Sequence, residues 1–295
     1  EFRRVLFRSN QGGGLSVFEN LGVFQRTGTG VAQLGAQLID TLGTSFTLAA
    51  GELRAANGGR IGGNKALTGG VFELGGGTLS MRSGMLWSGT GGYVRVTAGT
   101  LTLDSAVTVT MPRLDLAGGQ LTHEGLVDVI TAMNWSAGDI TSNTVGGGGT
   151  TRVRAGGLMT ISGAGTRTLS GTHLLQLLGN TNFTATGSIF SGSGAVIANS
   201  GLFDLQGSGS ILWNQGGAAT TFQNLAGATL RSSGATTGQI SFPVQNLGAL
   251  SVTGDSLQLS GGSVTNFSGT ATISSGALFL SGGVFTLTGP LTTAG

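Results

Sequence analysis

Four stretches between Phe72 and Ser142 repeat one alternation of apolar and polar positions: FELGGGTL, VRVTAGTL, LDLAGGQL and MNWSAGDI. Each reads apolar-x-apolar-x-x-Gly-x-apolar, with a pivot glycine at Gly77, Gly99, Gly119 and Gly138, so the pattern recurs about every 20 residues. A period of two is the mark of a β-strand, and self-similarity at a fixed period of about 20–50 residues marks a solenoid or a related array. Five residues before the pivot stand Phe72, Val94, Leu114 and Met133; three before it, Leu74, Val96, Leu116 and Trp135; two after it, Leu79, Leu101, Leu121 and Ile140. These positions are predicted to point inward and to stack on their equivalents in neighbouring coils. The pivot is expected at a corner between short strands, where positive φ penalises a Cβ.

The polar positions keep the same register. Three after the pivot stand Ser80, Thr102, Thr122 and Thr141, a hydroxyl ladder suited to a β surface. Four before it stand Glu73, Arg95, Asp115 and Asn134, joined by Arg152 if a fifth coil is built on Gly156 with Val153 and Leu158 in register. Five after it stand Arg82, Asp104, Glu124 and Asn143. The first of these charged rows alternates in sign and the second mixes signs, as a salt-linked, solvated face would.

Towards the N-terminus, FENLGVF and FTLAAGELRA alternate around Gly22 and Gly51, and the polar run Asn57–Gly70 is expected to bulge out as a loop. Beyond Thr166 the pattern continues through LLQLLGNTNF, VIANSGLFDL, FQNLAGATL, VQNLGALSV, LQLSGGSVTNF and LFLSGGVFTL, with Asn199, Asn224 and Asn246 expected in left-handed turns. A coil of roughly 19–26 residues without helical periodicity predicts an all-β, single-stranded parallel β-helix (solenoid) of about 11–12 coils. At about 4.8 Å per coil that is a rod near ~55 Å. Leucine-rich repeats would show a recurrent LxxLxL, and a propeller blade would be about twice as long.

Composition narrows the picture. Only 9% of residues are charged and 58 of 295 are glycine, against typical shares of about 25% and about 7%. The 39% that are apolar alternate, so a packed β protein is expected and a disordered chain is not. Residues 1–9, EFRRVLFRS, resemble the forward translation of a short-read sequencing adapter and are set apart from a repeat domain spanning 10–295, expected to be cut at both ends. Their three arginines and one glutamate account for the whole net charge of +2, so the basic balance gives no argument for nucleic acid. No apolar run approaches the ~20 residues of a membrane span. Cysteine is absent, which removes disulfides and thiolate metal sites.

The runs FTLAAGELRAANGGRIGG, FENLG, FQNLAG and VQNLG resemble the repeats of filamentous-haemagglutinin and autotransporter passenger regions. The resemblance implies a right-handed parallel β-helix, an extracellular or outer-membrane-surface location, and an export domain outside this fragment. It also implies host-surface or matrix glycans or proteins as partners. It implies no cofactor.

Candidate chemistry is sparse. Gly254-Asp255-Ser256-Leu257 spells an esterase motif, but Leu257 and Leu259 are core positions and the last histidine, His173, lies upstream. Asp104 and Glu124, with Arg82, Asn143, Asp115, Asp128 and Asp139, form the best polar site; β-helix enzymes of the pectate-lyase and polygalacturonase kind resemble it in carrying acids on adjacent coils. That supports an alternative reading as a polysaccharide-active enzyme. His123 shares a position with Met81 and Leu103 and is expected to point inward, hydrogen-bonded near a corner. His123-Glu124 lacks the second histidine of a zinc motif, and Lys65 in GGNKAL breaks the P-loop order. No catalytic residue and no metal ligand set is assigned.

Overall fold

The computed structural model describes residues 2–8, 16–40, 43–82, 84–103, 107–142 and 148–293, with side chains left aside at 2–8 and 262–265. Its described residues contain 33 strands and no helix. Thirty-two strands stack in parallel as a solenoid of about 12 turns. Phe2–Arg8 pairs antiparallel with Val17–Arg26, outside the parallel stack.

One turn shows how the stack is built. The strand Leu126–Thr141 runs around all three faces: 126–129 pairs with Thr150–Val153, 132–135 with Leu158–Ile161 and 138–141 with Arg167–Ser170. These are the first, second and third faces. Thereafter each strand pairs with the third strand along, as in Thr150–Val153 with Leu174–Leu177 and Leu158–Ile161 with Asn180–Phe183. A chain that returns to the same face after three strands buries one side of every strand in a common core.

The apolar columns stand as the alternation predicts. Leu79, Leu101, Leu121 and Ile140 are paired in sequence and continue to Leu169, and all five are fully buried. Phe72, Val94, Leu114 and Met133 form a second column, and Leu74, Val96, Leu116 and Trp135 a third. At about 1.5–3 kcal/mol for each buried side chain before chain entropy, these columns are the main source of cohesion.

The corners explain the pivots. Gly77, Gly99, Gly119 and Gly138 have φ of 65°, 75°, 61° and 84°. A Cβ on Gly99 would also lie 2.3 Å from the carbonyl oxygen of Gly77, and one on Gly119 2.5 Å from that of Gly99. Gly99, Gly119 and Gly138 therefore need glycine twice, for the dihedral and for the glycine corner stacked beneath, and a Cβ on Gly77 would meet the Asn57 backbone.

Several expectations are corrected. Asn57–Gly70 is not a bulging loop: Gly59–Ile61 and Asn64–Leu67 are strands of the third and first faces. Gly51 and Gly156 also have positive φ, but each turns the chain from the first face to the second, whereas Gly77 to Gly138 turn it from the second to the third. Arg152 therefore lies beside Asp128 rather than Asn134, Val153 stacks on Val129, and Leu158 is 41% exposed. Gly22 lies inside the strand Val17–Arg26 without positive φ. Turn length also ranges more widely: the chain takes far fewer residues to pass from Leu121 to its neighbour Ile140 than from Ile140 to Leu169.

Asn199, Asn224 and Asn246 do not take left-handed φ. Their side chains face the core, fully buried, and form an amide ladder. Asn199 Nδ2 donates to Asn224 Oδ1 at 2.8 Å, and Asn224 Nδ2 donates to Asn246 Oδ1 at 2.6 Å. Leu177 and Phe267 occupy the column at its two ends.

Candidate functional site

The second face carries an unbroken outward column of polar side chains. It runs Gln33, Arg54, Glu73, Arg95, Asp115, Asn134, Thr160, Asn182, Asp204, Arg231, Ser251, Thr272, Thr292, each paired with the next. Strand alternation puts these residues outside because their neighbours fill the core. The predicted row Glu73, Arg95, Asp115, Asn134 lies within it, and Arg152 does not.

Charges along the column are closed on one another. Glu73 forms an ion pair with Arg54 Nε at 2.8 Å and accepts from Arg95 Nη1 at 3.2 Å and from the Thr97 hydroxyl at 2.9 Å. Burial opposes its ionisation, but these donors outweigh it and hold the carboxyl below its ordinary value. Glu52 binds the same two arginines, at 3.3 and 3.2 Å. Asp115 takes a bidentate contact from Arg113, both at 2.9 Å, and a third bond from Asn134 Nδ2 at 2.9 Å. Tyr93 lies against two guanidiniums: Arg95 contacts its hydroxyl, and Arg113 stacks 4.3 Å from its ring centre. Farther along, Asp204 is bound by Arg231 and Gln206 at 2.7 Å each and by Ser233 at 2.8 Å.

The structure separates the acids that sequence proximity groups together. Asp115 is on the second face, Asp128 on the first and Asp139 on the third. Asp128 is held by Arg152 and Arg154 at 2.8 Å each, which overcome its burial and depress its pKa. Of the row Arg82, Asp104, Glu124, Asn143, the residues Asp104 and Asn143 lie outside the described residues. Arg82 and Glu124 are half-buried, each directly after the end of a third-face strand. The hydroxyl row aligns throughout, and Thr122 and Thr141 Oγ1 are 3.0 Å apart.

Ser256 of the esterase-like motif is 7% exposed and donates to the Asp255 carbonyl at 2.7 Å, while Leu257 and Leu259 are core residues. His123 faces inward and is fully buried, as its register implies. Sequence reasoning missed its partner: His173 lies with its ring 4.8 Å away, edge to face. Thr151 Oγ1 sits between them, 3.1 Å from His123 Nε2 and 3.0 Å from His173 Nε2.

The bonding partners fix both tautomers. His123 Nδ1 lies 3.1 Å from the Gly125 carbonyl, which only accepts, so Nδ1 carries the proton and Nε2 accepts from Thr151. Thr151 then accepts from His173 Nε2–H. His173 Nδ1 accepts from the Ser142 hydroxyl at 3.5 Å, and Ser142 accepts from the Gly149 amide at 3.2 Å. Burial lowers the pKa of His123 to about 4 and that of His173 well below the usual imidazole value, the latter also through His123.

Two buried cations were also invisible in the sequence. Arg167, in register with Gly138, donates to the carbonyls of Trp135, Ser136, Gly163, Gly165 and Gly187 at 2.7–3.3 Å. Lys65 pairs with Asp40 at 3.0 Å. Among the described residues, no group of three or more potential ligands could hold a metal. An open recess lined by Phe24, Arg26, Ala32, Leu34 and Leu53 lies beside the corner between the first and second faces and holds no acid. Among the described residues, no helix is long and apolar enough to cross a membrane. Comparison with protein-family models, curated proteins and solved structures finds no match.

Proposed function

We propose that this chain is a non-catalytic, cell-surface or secreted β-helical passenger region of a bacterial protein, acting as a stalk or adhesin-like element. The observation that carries this reading is the closed electrostatics of the second face. Glu52, Glu73, Asp115 and Asp204 each spend their oxygens on arginines of the same or neighbouring turns. A hydrolase of this architecture needs one carboxyl held protonated and another ionised and free. Pairing with guanidinium leaves these carboxylates occupied, which serves cohesion between turns. The apolar columns and inward amide ladder likewise devote the interior to stacking. Repetition then supplies function: a long surface presents weak contacts many times, and avidity grows without any single strong site. The resemblance of FENLG, FQNLAG and VQNLG to haemagglutinin-like repeats supports surface display, with glycans or proteins of a host surface or matrix as partners.

The test is turnover and adhesion side by side. The purified protein is incubated with acidic polysaccharides and scored for new reducing ends and for unsaturated uronate absorbance; coated beads are scored for retention on immobilised matrix glycans and proteins. Retention that rises steeply with coating density, without turnover, is the expected result. Turnover that disappears in Asp104→Ala and Glu124→Ala would overturn the proposal in favour of the polysaccharide-active alternative.

A further inference from the structure

Asp40 and Lys65 occupy a dry corner between two successive turns. Asp40 ends the third-face strand Gln37–Asp40, and Lys65 lies on the first-face strand Asn64–Leu67. Both side chains are at most 1% exposed, and Nζ is 3.0 Å from Oδ1. The ammonium lies 5.8 Å from the centre of the Phe46 ring, which closes one side of the pocket. Among the described residues, Asp40 Oδ2 is buried with no hydrogen-bond partner. A charged pair in such a place loses its hydration and recovers it only through full hydrogen bonding, which Oδ2 lacks. Burial lowers the Lys65 pKa against the pull of Asp40. Moving one proton from nitrogen to oxygen removes both charges and leaves a neutral amine touching a neutral carboxylic acid.

We infer that Asp40 and Lys65 condense to an isopeptide bond that ties one turn of the solenoid to the next. The Lys65 nitrogen lone pair forms the new bond to Asp40 Cγ. The Cγ–Oδ1 bond breaks, its electron pair staying on oxygen, and Oδ1 leaves as water carrying one proton from the acid and one from the nitrogen. Acid plus amine gives amide plus water, with nothing oxidised or reduced. The Thr44 hydroxyl provides the route for the second proton. It donates to Asp40 Oδ1 and accepts from Lys65 Nζ at 3.4 Å, linking the attacking nitrogen to the leaving oxygen. Oδ2, the oxygen without a partner, stays behind as the amide carbonyl. Fixed contact of the two groups supplies the effective concentration that a bimolecular condensation lacks.

The test is the intact mass of the purified full chain under denaturing conditions, followed by peptide mapping. A mass lower by one water, together with a branched peptide joining the segments that hold Asp40 and Lys65, is expected. Lys65→Met and Asp40→Ala should each restore the full sequence mass. Thr44→Val should leave a mixture of the two masses that converts more slowly. The full sequence mass in the unaltered protein, with Lys65 open to amine acylation after denaturation, would overturn the inference. A lighter mass that persists in Lys65→Met would overturn it equally. The wild-type mass alone decides the matter, so variants that fail to fold do not blunt the test.

Discussion

The buried imidazoles should make the solenoid acid-sensitive over a definable range of pH. His123 has a folded pKa near 4 against an ordinary value of 6.5. A base whose pKa falls on folding is neutral in the core and gains a proton when the chain opens. Its contribution to stability is therefore complete above pH 6.5 and is lost as pH falls towards about 4. At about 1.4 kcal/mol per pH unit, this gap corresponds to about 3 kcal/mol. His173 acts in the same direction. Protonation also breaks the chain of donors, because His123 Nε2 can no longer accept from Thr151. The perturbation is the double variant His123→Met, His173→Leu. Met81 and Leu103 occupy the His123 column in the two preceding turns, so an apolar side chain fits there. Denaturant unfolding at pH 7.5, 6.0, 5.0 and 4.5 should show a steep loss in the wild type and a flatter profile in the variant. The two should differ by about 3 kcal/mol across that range. The depressed carboxylates Glu73, Asp128 and Asp204 are the same in both proteins and cancel in the comparison. Nitrogen shifts in the wild type should report His123 as the Nδ1–H tautomer and His173 as the Nε2–H tautomer. Parallel pH profiles in the two proteins, or the opposite tautomers, would refute the reasoning.

Two further outcomes follow from the same packing. Gly99→Val should destabilise by more than about 3 kcal/mol, from positive φ and the Gly77 carbonyl beneath it, whereas exposed Ser88→Val should change little; unfolding midpoints check both. Asn224→Leu should lose about 2–4 kcal/mol by orphaning Asn246 Oδ1 and removing the bonds to Asn199 Nδ2 and the Ala249 carbonyl, although the column accepts Leu177 at one end, so the loss reports hydrogen bonds rather than size.

The inward columns were legible because alternation is enforced by burial: an apolar residue displaced by one position would face water. Charges in the second-face column were legible for the same reason, since Glu73, Arg95 and Asp115 keep their offset from a pivot. Corner identity was not. All three corners can ask for the same left-handed residue, so Gly51 and Gly156 look like Gly99 while turning a different edge, and the pattern assigns Arg152 to the wrong face along with them. Contacts between turns were also hidden. Asp40 meets Lys65 and Thr151 meets His173 across roughly one turn of chain, but the turns themselves differ widely in length. A spacing near one turn was the available signal, as it was for Asn199, Asn224 and Asn246, but such a variable period does not say which residues meet.

Like positions of successive turns share one line along the axis, and every other inference depends on that stacking. The chain has no cysteine, so nitroxide labels can be placed in pairs without background. With one label at Gln33 and the second at Thr160, six pairings intervene on the second face, and with the second at Thr272, eleven. Backbone separations near ~29 Å and ~53 Å, growing by about 4.8 Å per turn, are expected from pulsed electron-spin measurements. Distances that fail to grow with the number of turns would contradict the stacked solenoid and everything built on it.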